Sequence, residues 1–235
     1  MRIYLDLETY RPVKKGSFIR EDIILIGLLV ETMNGSEVIY EPLENFERED
    51  VERFNGEREI LLRFYEYLKK LKTLERNEEE CLLEIIGFNN LRFDIPLIVS
   101  KTLKHNIVKK VFYSELKKER INSGEWMHEA DFLNKWWHSI FTIDLAQVLL
   151  SFNKFYFKGL RLEAMAKILN EKFKCEIKVQ ETPGLDGEKI AEFFEKEKFE
   201  RIEEKNVEDL RLIKDIYHCL KRIARSLFLN STQAS

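Results

Sequence analysis

Asp6 and Glu8 stand two residues apart in the run Ile3-Tyr4-Leu5-Asp6-Leu7-Glu8-Thr9. The apolar and aromatic neighbours predict a strand over residues 2–8, and side chains two apart on a strand share a face. Two carboxylates held side by side repel one another unless something positive stands between them. A divalent cation is the simplest partner, because Mg²⁺ and Mn²⁺ prefer hard oxygen ligands. Two further acids sit where they could join this pair. Asp94 closes the segment Gly87-Phe88-Asn89-Asn90-Leu91-Arg92-Phe93-Asp94, in which a predicted strand turns into a helix. Ligands of α/β sheets gather at such strand ends. Asp209, in Asn206-Val207-Glu208-Asp209, falls in the first turn of a predicted last helix.

Each acid also has an ordinary use. Asp6 and Glu8 could be strand-end charges, but their apolar neighbours favour a buried strand, where unpaired acids are costly. Asp94 could cap the helix it opens. Asn206 and Asp209 form a capping arrangement, and an acid in a first turn suits the helix dipole. Asp215 is a rival for the last position, one and a half turns deeper, and Asp144 reads as a supporting residue at a strand end.

Five strands are expected to position these groups, over 2–8, 23–31, 37–42, 82–88 and 140–144. Asn34-Gly35 is a hairpin turn signal that would pair the third strand antiparallel to the second. Helices are expected over 57–72, from about Ile95, and over 160–173, 187–198 and 207–228. Pro96 fits a first helical turn, and Pro183-Gly184 and Asp186-Gly187 mark a loop. The stretch 107–139 mixes charges with Trp126, Trp136 and Trp137 and reads as an aromatic-rich insertion with helical pieces. Strands in antiparallel order, then alternating with helices, imply an α/β fold: a mixed five-stranded sheet flanked by helices in one domain over 1–228, with a loose tail over 229–235.

The chain has 235 residues, 44% of them hydrophobic, which suits a globular protein. No stretch approaches the roughly 20 apolar residues of a membrane span, so no membrane partner and a cytoplasmic location are expected. A net charge of −3 argues against a strong non-specific nucleic-acid binder. Nucleic-acid contact would have to be local or assisted by metal. Cys81, Cys175 and Cys219 form no CxxC pair and no zinc spacing, and read as free thiols. The four histidines show no ligand spacing.

Taken in order, these motifs resemble a DEDD-type 3′–5′ exonuclease with the ribonuclease-H-like fold, most closely the proofreading domains of family B DNA polymerases and their stand-alone relatives. Asp6-Leu7-Glu8 matches the first motif and Asn89-x-x-x-Phe93-Asp94-x-Pro96 the second. Ile202-x-x-x-Asn206-x-x-Asp209 resembles the run into the third, and Asp144 a further family position near the sheet. The resemblance implies catalytic and metal-binding roles for Asp6, Glu8, Asp94 and Asp209 and two divalent cations, Mg²⁺ or Mn²⁺. It implies a single-stranded DNA or RNA 3′ end as substrate, with Thr9, Asn89 and Phe93 as nucleic-acid contacts. One position departs from the pattern. Where the tyrosine subtype has its Tyr, four residues before the last Asp, this chain has Lys205. Lys205 reads by default as a solvated lysine in a charged run. It could assist catalysis as a base only with a lowered pKa.

Further contacts are open. Phe93, Trp136, Trp137, Phe155 and Tyr156 could stack on unpaired bases, and Arg11, Lys14 and Lys15 could touch phosphates. Two other functions fit less well: a catalytically silent nucleic-acid-binding module, and a scaffold whose contact surface is 107–139.

Overall fold

The computed structural model describes residues 1–11, 17–31, 38–44, 53–75, 83–123, 127–150, 160–179 and 187–232. Asn34-Gly35, Lys14, Lys15, Trp126, Phe155, Tyr156, Cys81, Pro183-Gly184 and Asp186 lie outside these residues.

Alternation along the first strand organises the molecule. In β1 (Arg2–Tyr10), Ile3, Leu5 and Leu7 enter one core and Tyr4 enters another. The sheet is thus covered on both faces, and Asp6 and Glu8 share the face of Tyr4. The sheet order is β3-β2-β1-β4-β5. β2 (Asp22–Glu31) pairs antiparallel with β1 and with β3 (Val38–Glu44). β4 (Glu84–Gly87) and β5 (Phe141–Asp144) run parallel to β1. All five expected strands are present, and the β2–β3 antiparallel pairing is as the turn signal implies.

On the face of Ile3, Leu5 and Leu7 lie α1 (Arg53–Glu75), α2 (Asp94–Lys104), α3 (Ile107–Val111), α4 (Tyr113–Ser123) and α5 (Glu129–His138). The segment 107–139 supplies much of that core. Phe112 and Leu133 are fully buried, and Trp137 is buried against Phe64 and Tyr65, its Nε1 donating to Tyr65 Oη. Trp136 is half-buried against Tyr65 and Phe112. The expectation that Trp137 stacks on bases is therefore corrected: its ring is core. The same packing takes up Phe112, Phe132 and Trp137, while Tyr113 stays exposed.

The opposite face carries α6 (Leu145–Val148), α7 (Leu162–Phe173), α8 (Gly187–Glu195) and α9 (Phe199–Thr232). α9 departs most from expectation. It begins at Phe199 rather than 207 and continues through Thr232, into the segment expected to be a loose tail. Ile202 accounts for the early start: it is fully buried against Tyr10, Ile24 and Ile190, and packing of that turn overrides the capping signal at Asn206. A second correction concerns the thiols. Cys175, after α7, and Cys219, on α9, form a disulfide with Cα atoms 5.7 Å apart. Closing a 44-residue separation restricts the unfolded chain by about 4 kcal/mol on chain-entropy reckoning. No helix among the described residues is long and apolar enough to cross a membrane.

Candidate active site

β1 ends its apolar run with two acids on the face that meets α9. Asp6, Glu8 and Asp209 converge there, each offering a carboxylate oxygen, and the three oxygens lie within 4.8 Å of one another. Asp209 stands in the third turn of α9, so it neither caps the helix nor meets its dipole end. The capping reading of Asn206 and Asp209 is thereby corrected.

Lys205, one turn before Asp209, enters the same cluster. Its Nζ donates to Glu8 Oε1 and to Asp209 Oδ2, both at 2.7 Å. Its side chain is only 19% exposed, so the solvated-lysine reading is corrected. Burial alone would lower the pKa of this ammonium, but the charges of Glu8, Asp209 and Asp6 outweigh burial and hold it well above the usual lysine value. The neighbouring carboxylates thus favour the charged ammonium, opposite in sense to the lowered pKa that a base would need.

The carboxylates respond in the opposite sense. Desolvation raises Asp6 well above the usual aspartate value, and the charges of Asp209 and Glu8 raise it further, against the pull of Lys205. Burial pushes Glu8 up to about 7 despite Lys205. Three carboxylates thus share one ammonium, and burial disfavours the charged form of Asp6 and Glu8.

Asp94 opens α2, just after β4 and the turn that follows it. It is buried, and desolvation pushes it up to about 7, helped by the charges of Asp144 and Glu8 and opposed by bonds from the backbone amides of Asp94 itself and Leu7. It lies outside the three-carboxylate group but near enough for its charge to raise Asp6. The structure thus joins three of the four predicted acids closely and sets the fourth, buried, beside them.

Asp144 does supporting work. Its Oδ1 accepts from the amides of Asn89 (2.8 Å) and Ala146 (2.9 Å), and its Oδ2 from Leu91 (3.2 Å). Asn89 takes a left-handed φ of 66°, a conformation asparagine tolerates. Its carbonyl accepts from the amides of Arg92 and Phe93, which completes the turn that delivers Asp94. Phe93 packs against Phe18 with ring centroids 5.4 Å apart. Thr9 Oγ1 donates to Glu21 at 2.6 Å, and Arg11 pairs with the same carboxylate at 3.0 Å. Asp215 lines a separate cleft beside Cys175, His218 and Cys219, which removes it as a rival ligand.

Asn206 is the residue that sequence reasoning misjudged. Fully buried, it donates from Nδ2 to Asp6 Oδ2 at 2.9 Å and to the Asp6 carbonyl at 3.3 Å. It reaches Asp6 across Gly27, the residue paired with Asp6 on β2. A Cβ on Gly27 would overlap the Asn206 carboxamide. The available signal was Gly27 itself, because a glycine inside an apolar strand marks close approach of another group.

A family described as a predicted 3′–5′ exonuclease related to the exonuclease domain of PolB matches residues 36–212. That span holds Asp94, Lys205, Asn206 and Asp209, and starts after Asp6 and Glu8. Among solved structures, the family B DNA polymerase from the hyperthermophilic archaeon Pyrobaculum calidifontis is similar over 93% of this chain, with a TM-score of 0.53 and 16% identity. This chain spans 24% of that polymerase, and the likeness is one of fold: a ribonuclease-H-like mixed sheet flanked by helices. No curated protein matches the chain.

Proposed function

The chain belongs to the family of predicted 3′–5′ exonucleases related to the exonuclease domain of PolB, and from that premise we propose that it is a metal-dependent nuclease that removes nucleotides from single-stranded DNA or RNA 3′ ends. The observation that carries this reading is the convergence of carboxylate oxygens of Asp6, Glu8 and Asp209 within 4.8 Å of one another. An all-oxygen donor set of this kind fits Mg²⁺ or Mn²⁺.

In this reading Asp6, Glu8 and Asp209 hold one cation, and Asp6 and Asp94 help hold a second. When bound, such a pair would supply an acidified water and charge stabilisation at the leaving 3′ oxygen. The chain's own groups supply the geometry. β1 fixes Asp6 and Glu8 on one face, α9 brings Asp209 against them, and Asn206 orients Asp6. The turn built on Asn89 and Asp144 delivers Asp94. Lys205 acts as a charge and hydrogen-bond donor on Glu8 and Asp209 rather than as a proton acceptor. Thr9, Asn89 and Phe93, beside the acids in sequence, contact the incoming strand.

The test is degradation of a 5′-labelled single-stranded oligonucleotide with Mg²⁺, Mn²⁺ or EDTA, beside Asp6→Ala. The expected result is a metal-dependent ladder of shortened products, with the mutant slower by about 10³-fold or more. Absence of shortening by folded protein with either metal, or unchanged turnover in the mutant, overturns the assignment. The first of those results would favour a silent nucleic-acid-binding module, in which the Lys205 ammonium stands permanently in place of the cation.

A further inference from the structure

Three buried or half-buried carboxylates surround one ammonium in the acidic cluster. The Lys205 Nζ touches Glu8 and Asp209 at 2.7 Å each, two of the three groups whose oxygens converge. A divalent cation bound between those same carboxylates cannot share that space with an ammonium. We propose that Lys205 is a tethered competitor for the cation: it neutralises the cluster in the metal-free protein and sets the concentration at which a divalent ion enters. The inference rests on the metal-binding reading of this site.

Two features make Lys205 displaceable rather than permanent. Its side chain is flexible and keeps 19% of its surface exposed, so the head can swing towards water as an ion arrives. Its single charge also leaves the cluster under-neutralised. Asp6, Glu8 and Asp209 sum to three negative charges when ionised, and one ammonium leaves two. The Lys205–Asp209 pair lies on one helix face at i,i+4, so it forms as soon as α9 folds and needs no ion. Its partner Glu8 comes from β1, 197 residues away in sequence, so the ammonium also clamps α9 to the sheet. The protein thereby keeps its site assembled without metal, at the cost of weaker metal binding.

The experiment measures Mn²⁺ affinity by electron paramagnetic resonance, and thermal unfolding in EDTA and in saturating Mn²⁺. It compares wild type, Lys205→Met, Lys205→Gln and Lys205→Arg, with Asp6→Asn as the site control. Lys205→Gln keeps a hydrogen-bond donor without charge, so it serves if the methionine variant folds poorly. The expected result is that both neutral variants bind Mn²⁺ about tenfold or more tightly than wild type, melt lower in EDTA, and are brought level with wild type by Mn²⁺. Lys205→Arg retains wild-type affinity. Unchanged Mn²⁺ affinity in the neutral variants, with binding still lost in Asp6→Asn, overturns the competitor role and leaves the metal site standing. No Mn²⁺ binding by wild type or any variant overturns the metal-binding reading, and this inference with it.

Discussion

Two of the buried ionic clusters among the described residues lie on opposite faces of the sheet, and they are built on opposite principles. On the α1–α2 side, Glu57 is 2% exposed and surrounded by donors. It accepts from the Ile23 amide at 2.9 Å, pairs with Lys101 at 2.8 Å and bonds His105 Nε2 at 2.6 Å. Burial pushes its carboxyl up, but these donors outweigh burial and hold it below the usual glutamate value. On the α9 side, several carboxylates share one ammonium, and Asp6, Glu8 and Asp94 are all raised. The first cluster is satisfied and ties α1, α2 and β2 together. The second sets three carboxylates against one ammonium. A buried cluster that serves stability matches donors to acceptors, whereas one that serves chemistry leaves a charge unanswered.

The sharpest way to break this contrast is to neutralise one acid in each cluster without changing its shape. Glu57→Gln removes the main partner of Lys101, itself only 1% exposed. Breaking a buried pair from one side costs about 3–5 kcal/mol, and urea unfolding should register that loss. Glu8→Gln relieves repulsion while keeping an acceptor for Lys205, so in EDTA its stability should equal or exceed wild type. Equal destabilisation by the two substitutions would show that both clusters are structural.

A smaller effect tests how the acidic cluster is aimed. Asn206→Ala removes the buried carboxamide that donates to Asp6. The lost bond is worth about 1–3 kcal/mol in unfolding free energy. Residues that orient a metal ligand typically cost about 10–100-fold in metal affinity when removed, so Mn²⁺ binding should weaken by that factor. Unchanged affinity would mean that β1 alone fixes Asp6.

Much of this arrangement was legible from local pattern, and its limits follow from the same fact. Alternation placed Asp6 and Glu8 on one face, and strand-then-helix punctuation placed Asp94 after β4, because both signals lie within a few residues. The α9 start was misplaced because Asn206-Val207-Glu208-Asp209 imitates a cap, while the burial of Ile202 against β1 and β2 is set by distant residues. Lys205 looked solvated for the same reason: its second partner is 197 residues away. The Cys175–Cys219 bridge follows no spacing rule, since the segment after α7 meets α9 only in the folded chain. The aromatics of 107–139 looked like an insertion, yet Phe112, Phe132 and Trp137 complete the core over α1.

The smallest predicted effect is a difference in pH response, and its sign separates the clusters. Glu8 is raised from 4.5 in the unfolded chain to about 7 in the fold, so the folded state binds its proton more readily. Its contribution to stability is fully present below 4.5 and is lost as pH rises through about 7. Asp94, raised from 3.8 to about 7, behaves alike. Glu57 is lowered from 4.5, so its contribution is complete above 4.5 and is lost only as pH falls below that value. Between pH 7.5 and 5.5 the acidic cluster therefore governs the response, and acidifying the metal-free protein across that window should raise its Tm by a few degrees, on the order of 1 kcal/mol. Glu8→Gln should flatten that rise, and Mn²⁺ at pH 7.5 should reproduce it, since proton and cation relieve the same surplus charge. A Tm that falls steadily from pH 7.5 to 5.5 in EDTA would place the Glu8 cluster with the Glu57 one, as a satisfied network with no charge left to bind.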